Sequence, residues 1–218
     1  MKIQAFDISR TASAATLIFD AIREAIIKGD LAQGEPLRQE DIARAFNVSR
    51  IPVREALLRL EQHGLITSER FKGAVVAGLT LEEATEIFAF RALLEPEIIR
   101  QAVPHMSAMV LETAAHCCDA FGRADDPMQW GDLNRRFHTT LYAPSGLAYH
   151  MEMLEKAMDR IDPYLRAQLL LSDGMQRANR EHQMIVDACR SGQADMAADL
   201  TRQHILGAQE SLSRYWQK

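Results

Sequence analysis

The chain has 218 residues, 47% hydrophobic and 25% charged, with a formal net charge of −5; this size suits one large domain or two small ones and excludes wholesale disorder. No apolar run reaches the roughly 18 residues of a membrane-spanning helix, and the first ten residues lack the basic start, apolar core and cleavage site of a secretory signal. Cys117 and Cys118 are adjacent, Cys189 is remote and no C-x-x-C pair occurs, which excludes a disulfide framework or cysteine-rich zinc finger and predicts a reducing, cytoplasmic setting.

Ile18, Ile22, Ala25 and Ile26 predict a helix over Thr16–Lys28, stopped by Gly29 and followed by a turn at Gly34-Glu35-Pro36. Ile42, Ala43 and Phe46 mark one side of a short helix over Gln39–Phe46, and Asn47-Val48 makes a tight turn. Ser49 is a predicted N-cap, with Pro52 in the first turn of a third helix that runs to His63. Val53, Ala56, Leu57 and Leu60 form the buried face of that helix, and Gly64 ends it. Leu65–Ser68 and Ala74–Ala77 read as two short strands of a hairpin.

Helix, short helix, tight turn, helix and hairpin is the layout of a winged helix-turn-helix, whose third helix enters the major groove of double-stranded DNA. Arg50 and Arg54 lie one turn apart at its start, off the apolar face, and an arginine fork matches guanine O6 and N7. Ser49 can cap the helix or meet a phosphate. Arg70, Lys72 and the Gly73 backbone sit at the predicted wing tip, in reach of phosphate or the minor groove. Two arginines alone would better describe a solvated face; the whole constellation points to DNA.

Residues 1–78 carry 11 basic and 10 acidic side chains, and residues 79–218 carry 14 and 20. That asymmetry predicts two domains with different partners, divided at 78/79. The second is predicted to be all helical, with helices near 81–103, 107–123, 127–143, 147–171, 175–190 and 194–215. Thr80 and Glu83 form a capping box, Asp126-Pro127 a helix start, and Ser191-Gly192 a tight break. Pro96 and Pro163 are expected to kink or divide their helices. The fold class is therefore mainly α: a winged helix-turn-helix followed by a bundle of six or seven helices.

Three of seven histidines stand on apolar stripes. His138 follows Asn134 by four residues among Leu133, Phe137 and Leu141. His182 shares a stripe with Ala178, Ile185 and Cys189, and His204 with Ala197, Leu200 and Ala208. His182 and His204 are equidistant from Gln193 in the turn between the last two helices, which sets them at one level. Each alone would suit a hydrogen-bonded core position; together with Asn134 they offer three nitrogens and an oxygen, a set that suits zinc, nickel, iron or copper. Glu181, next to His182, is expected to point elsewhere. Arg91 either pairs with Glu95 in its own helix or lines a ligand pocket inside the bundle. Arg160, Tyr164 and Gln168, at four-residue spacing, either line the same pocket or remain at a solvated rim.

The strings Leu37-Arg38-Gln39-Glu40-Asp41-Ile42-Ala43 and Val48-Ser49-Arg50-Ile51-Pro52-Val53-Arg54-Glu55-Ala56-Leu57 resemble the DNA-binding domain of GntR-family transcription regulators. Arg91-x-x-Leu94-Glu95, Asn134-x-x-Phe137-His138, Glu181-His182 and His204 resemble the FCD ligand-binding domain of the FadR-type subfamily. The resemblance implies that Arg50 and Arg54 contact operator bases and that Gly73 approaches DNA. Glu40 stands where some members carry a further DNA-contacting arginine, with Arg38 and Arg44 as the cations beside it. It also implies a divalent metal on Asn134, His138, His182 and His204, zinc first with nickel, iron or manganese as alternatives. A small carboxylate effector is implied beside that metal, with Arg91 facing it. The expected function is a homodimeric regulator, a repressor rather than an enzyme, on a palindromic operator and without membrane attachment. The alternative is a helical metalloenzyme with an accessory winged helix.

Overall fold

The computed structural model describes residues 13–70, 72–124, 127–171 and 174–216, the side chains of 127, 128, 163, 166–171, 215 and 216 excepted. The chain divides into two compact units between Gly78 and Leu79. The first contains α1 (Ala14–Lys28), α2 (Gln39–Ala45), α3 (Arg50–Gln62), β1 (Ile66–Glu69) and β2 (Gly73–Val76). The Ser13 hydroxyl caps α1 by accepting from the Thr16 backbone N–H, and Gly29 closes it in the left-handed region at φ 83°. Asn47, at φ 52°, makes the turn into α3; asparagine tolerates this region better than most residues. Ile18, Ile22 and Ile26 of α1 share a core with Val53, Leu57 and Leu60 of α3, and Leu65, Ile66 and Val76 close it from the hairpin. The strands are antiparallel, with Ile66 opposite Val76 and Glu69 opposite Gly73. The segment read from sequence as a simple turn also pairs with the hairpin: Val76 N–H donates to Glu35 O at 3.0 Å and Leu37 N–H to Ala74 O at 2.8 Å.

Among the described residues the second unit contains six α-helices: α4 (Leu81–Ala102), α5 (Ala108–Arg123), α6 (Pro127–Tyr142), α7 (Ala148–Leu171), α8 (Gly174–Arg190) and α9 (Ala194–Trp216). Short 3-10 turns at Val103–His105 and Ala143–Ser145 follow α4 and α6. Thr80 and Glu83 form the reciprocal capping box; the expected Asp126 cap lies outside the described residues. Neither Pro96 nor Pro163 divides its helix. Pro96 is buried between flanking core residues, and extensive packing of α4 on α9 holds the helix on both sides of the missing N–H. The core joins Ile98 and Ile99 of α4, Phe137 and Leu141 of α6, Leu154 of α7, Ile185 and Val186 of α8, and Ala197 and Ala198 of α9. Cys117, Cys118 and Cys189 are buried, free thiols in that core.

Candidate DNA interface and candidate metal centre

The exposed start of α3 defines the first site. Arg38, Arg44, Ser49, Arg50, Arg54, Arg70, Lys72 and Gly73 are all exposed in the first unit. Ser49 occupies the N-cap position with extended backbone, but its hydroxyl makes no cap bond. Arg50 Nη2 donates to Glu40 Oε1 at 2.6 Å; Lys72 Nζ meets Glu69 Oε2 at 2.9 Å, and Arg44 Nη1 meets Asp41 Oδ1 at 3.4 Å. Exposed pairs of this kind contribute about 0–1 kcal/mol and exchange readily for other partners. Ile51, not among the sequence candidates, is 71% exposed at the second position of α3. An apolar side chain there suits the methyl group of thymine; its signal was its place in the arginine string off the buried stripe.

In the second unit α6, α8 and α9 each contribute one imidazole. His138, His182 and His204 are buried, and one nitrogen of each lies within 4.8 Å of the other two. Their ring centroids are 5.2 Å apart for His138–His182, 5.1 Å for His138–His204 and 4.7 Å for His182–His204. Phe137 stacks on His182 at 4.2 Å. His138 Nε2 and both nitrogens of His182 are buried without a hydrogen-bond partner. Burial, reinforced by the neighbouring imidazoles, holds His138 and His182 well below the usual histidine range. Neutral rings with convergent lone pairs are the donor form a transition metal requires, so these residues fit a metal ion. The other four histidines stand apart: His105 and His116 are exposed, His63 and His150 half-buried.

Beside the histidines lies a cavity of about 30 Å³ whose polar wall is Arg91, Asn134, Asp162, Arg177 and His204. Asn134 thus reaches the same space as His204. Arg91 pairs with Glu95 as one reading expected, donating from Nε to Glu95 Oε1 at 2.6 Å, fully buried, and it also lines the cavity. Arg177 and Asp162 were not among the sequence candidates. Arg177 Nη1 donates to Gly207 O at 2.8 Å, and a Cβ at Gly207 would stand 2.8 Å from that same Nη1; the glycine makes the close approach feasible. Burial raises the Asp162 pKa against the pull of Arg135, which lies 2.7 Å away and also meets Asp159 at 2.8 Å.

Arg160 and Tyr164 do not line this cavity. Arg160 faces a shallow groove with Glu86, Ile87 and Phe90, 3.7 Å from Glu83. Tyr164 packs against a cluster containing Phe88 and Ile161, and its burial raises the phenol pKa. Their shared stripe on α7 is real, but it turns toward the N-terminal half of α4 rather than toward the histidines. The side chain of Gln168 lies outside the described residues. Glu181 corrects the expectation that it points away: Glu181 Oε2 lies 2.7 Å from His204 Nδ1. It is on α8 beside His182, but α9 packs against that side of α8 and brings His204 within its reach.

Residues 14–76 match the family described as bacterial regulatory proteins, gntR family, and residues 86–207 match the FCD domain. The chain belongs to the GntR family of DNA-binding transcription regulators, in the group whose second domain is FCD; this is a family of regulators and not of enzymes. It is 28% identical to the HTH-type transcriptional repressor GlaR of Escherichia coli (strain K12), over 85% of this chain and 89% of that protein. A GntR family regulator from Pseudomonas syringae pv. tomato str. DC3000 is 33% identical, with a TM-score of 0.57 over 94% of this chain and 86% of that one. E. coli McbR/YncC is 19% identical but shares the fold, with a TM-score of 0.84 over 94% of this chain and all of that one. Among the described residues no helix is long and apolar enough to cross a membrane.

The buried histidines give stability a defined pH dependence. Unfolded histidines titrate near 6.5, whereas folded His138 and His182 resist protonation. Their contribution is complete above about 6.5 and is lost as pH falls toward the lower folded values, because the unfolded chain takes up the protons first. Chelator-treated protein should lose about 1.4 kcal/mol of unfolding free energy per pH unit below 6.5 for each such histidine. Urea titrations at several pH values measure this, and His182→Leu should show the shallower slope.

Proposed function

We propose that the protein is a homodimeric, ligand-responsive repressor that holds a divalent metal at Asn134, His138, His182 and His204 and a small carboxylate in the adjoining cavity. The observation that carries the reading is the trio of buried imidazoles with partnerless nitrogens. Burying polar atoms that face one another without partners is costly, and a cation shared by the three rings removes that cost. Nitrogen donors favour zinc, with nickel, iron or manganese as alternatives. When bound, the ion supplies positive charge for an anionic effector. Arg91 and Arg177 supply donors on the cavity wall, and the small volume selects a compact acid. Repression is supported by likeness to GlaR, which is named a repressor.

On DNA, Arg50 and Arg54 read guanine edges and Ile51 meets a thymine methyl. Ser49, Arg38, Arg44, Arg70, Lys72 and the Gly73 backbone hold phosphate or the minor groove. One winged helix reads few bases, so two related by a two-fold axis read a palindromic operator. Phe90 and Leu93, exposed on α4, offer apolar surface for the second copy. The effector, seated beside the metal, alters operator affinity.

Arg50→Ala and Arg54→Ala should each weaken operator binding by about 1–3 kcal/mol and relax base preference at one position, whereas Lys72→Ala should weaken all sequences alike and lower the salt slope. Mobility shifts on an operator-variant panel decide this, and base preferences unchanged in both arginine variants would contradict the base-reading assignment.

Metal removal provides the second test. Chelation should lower the melting temperature, because an ion bound only by the folded state stabilises it by mass action. His138→Ala, His182→Ala and His204→Ala should each abolish stoichiometric metal in elemental analysis, whereas Asn134→Asp should retain it. A wild type that carries no metal and melts identically with and without chelator would make the three histidines plain core residues.

A further inference from the structure

Two of the three imidazoles are braced from behind and the third is not. His204 Nδ1 lies 2.7 Å from the Glu181 carboxylate. His138 Nδ1 lies 3.1 Å from the Tyr142 hydroxyl oxygen, and Tyr142 donates its single proton to Glu95 Oε2 at 2.7 Å. With that proton committed, the Tyr142 oxygen can only accept, so His138 Nδ1 is the donor. A carboxylate likewise only accepts, so His204 Nδ1 also carries a proton. A neutral ring protonated on Nδ1 has its lone pair on Nε2, and His138 Nε2 is the buried atom without a partner. His182 has no hydrogen-bond partner on either nitrogen; the stacked Phe137 ring packs on its face and makes no choice between them.

The two braces use different elements. One runs from Arg91 and Glu95 on α4 to Tyr142 and His138 on α6, with Arg91 Nε 2.6 Å from Glu95 Oε1. The other runs from Arg177 and Glu181 on α8 to His204 on α9, with Arg177 Nε 3.5 Å from Glu181 Oε1. Both arginines line the cavity beside the histidines.

We propose that Glu95, acting through Tyr142, and Glu181 are positioning residues that lock His138 and His204 in the Nδ1–H tautomer and present both Nε2 atoms to a common ion. This rests on the reading of the three histidines as a metal centre. A hydrogen bond from the far nitrogen to a carboxylate fixes ring orientation and strengthens the ligand, and loss of such a partner typically lowers metal affinity 10–100-fold. The braces are independent, so each can be removed alone. A core ion pair with no role at the histidines would leave the tautomers unaffected.

The test uses full-length protein with nitrogen-15-labelled histidine, stripped of metal, and zinc as the probe. Long-range proton–nitrogen correlation spectra should show His138 and His204 protonated on Nδ1. Tyr142→Phe should release the preference of His138 alone, and Glu181→Ala that of His204 alone. Zinc affinity, measured by competition with a chromophoric chelator, should fall 10–100-fold in each variant. Glu181→Gln, which keeps an acceptor, should preserve the His204 tautomer. Glu181 is partly exposed, so its variants test the claim even if Tyr142→Phe fails to fold. A wild type that takes up no zinc overturns the metal reading itself. Zinc uptake by wild type together with an Nε2–H form of either histidine, or with unchanged affinity in Glu181→Ala, overturns the bracing alone.

Discussion

Three imidazole rings taken out of water must direct their nitrogens somewhere, and the helical unit is organised around that requirement. An unsatisfied buried polar group costs about 1–3 kcal/mol, and His182 alone leaves both nitrogens without a partner. The surrounding side chains are chosen accordingly. Phe121 and Phe137 bracket His182, while Tyr142 and Glu181 take the outer nitrogens of His138 and His204. Glu95, fully buried, is tolerable there because Arg91 and Tyr142 satisfy both its oxygens. Removing one partner of such a pair costs far more than the intact pair contributes, so the charges are locked together as a set. An ion shared among the rings is the complement we propose for this arrangement.

The first unit obeys the opposite rule. Its core is apolar, among the described residues it has no buried ion pair like that of the second unit, and the cations assigned to DNA stand in water. Arg50, Arg44 and Lys72 meet carboxylates only through exposed contacts, which compete weakly against phosphate or a base edge. Glu40 is notable because it holds Arg50 at the start of α3 and stands where the family resemblance leads one to expect a cation. The chain thus places strong, desolvated electrostatics around the three buried histidines and weak, exchangeable electrostatics on the face proposed to read DNA.

Local patterns carried most of the fold. Apolar spacing, Gly29, Gly64 and the Thr80 box mark helix bounds that the structure reproduces within two residues, since those signals act over one turn. The level of His182 and His204 was legible because a tight turn about Gln193 fixes the register of two helices. Side-chain direction across helices was not. Arg177 and Asp162 reach the cavity only through the packing of α7, α8 and α9, and nothing in their own windows reports it. The four-residue spacing of Arg160 and Tyr164 found a true stripe but not the neighbour it faces. Glu181 departs from its sequence expectation because position on a helix does not set reach, and a glutamate can span to the adjacent helix. Pro96 shows the converse, a residue expected to kink or divide its helix that tertiary packing keeps inside an undivided one.

Zinc K-edge absorption spectroscopy on the zinc-loaded full chain tests the central claim most directly. The account predicts three imidazole nitrogens at about 2.0–2.1 Å, with oxygen completing the shell and the outer-ring scattering that histidine gives. A sulfur shell at about 2.3 Å, which would assign the ion to Cys117, Cys118 or Cys189, or a spectrum without imidazole scattering, would contradict it.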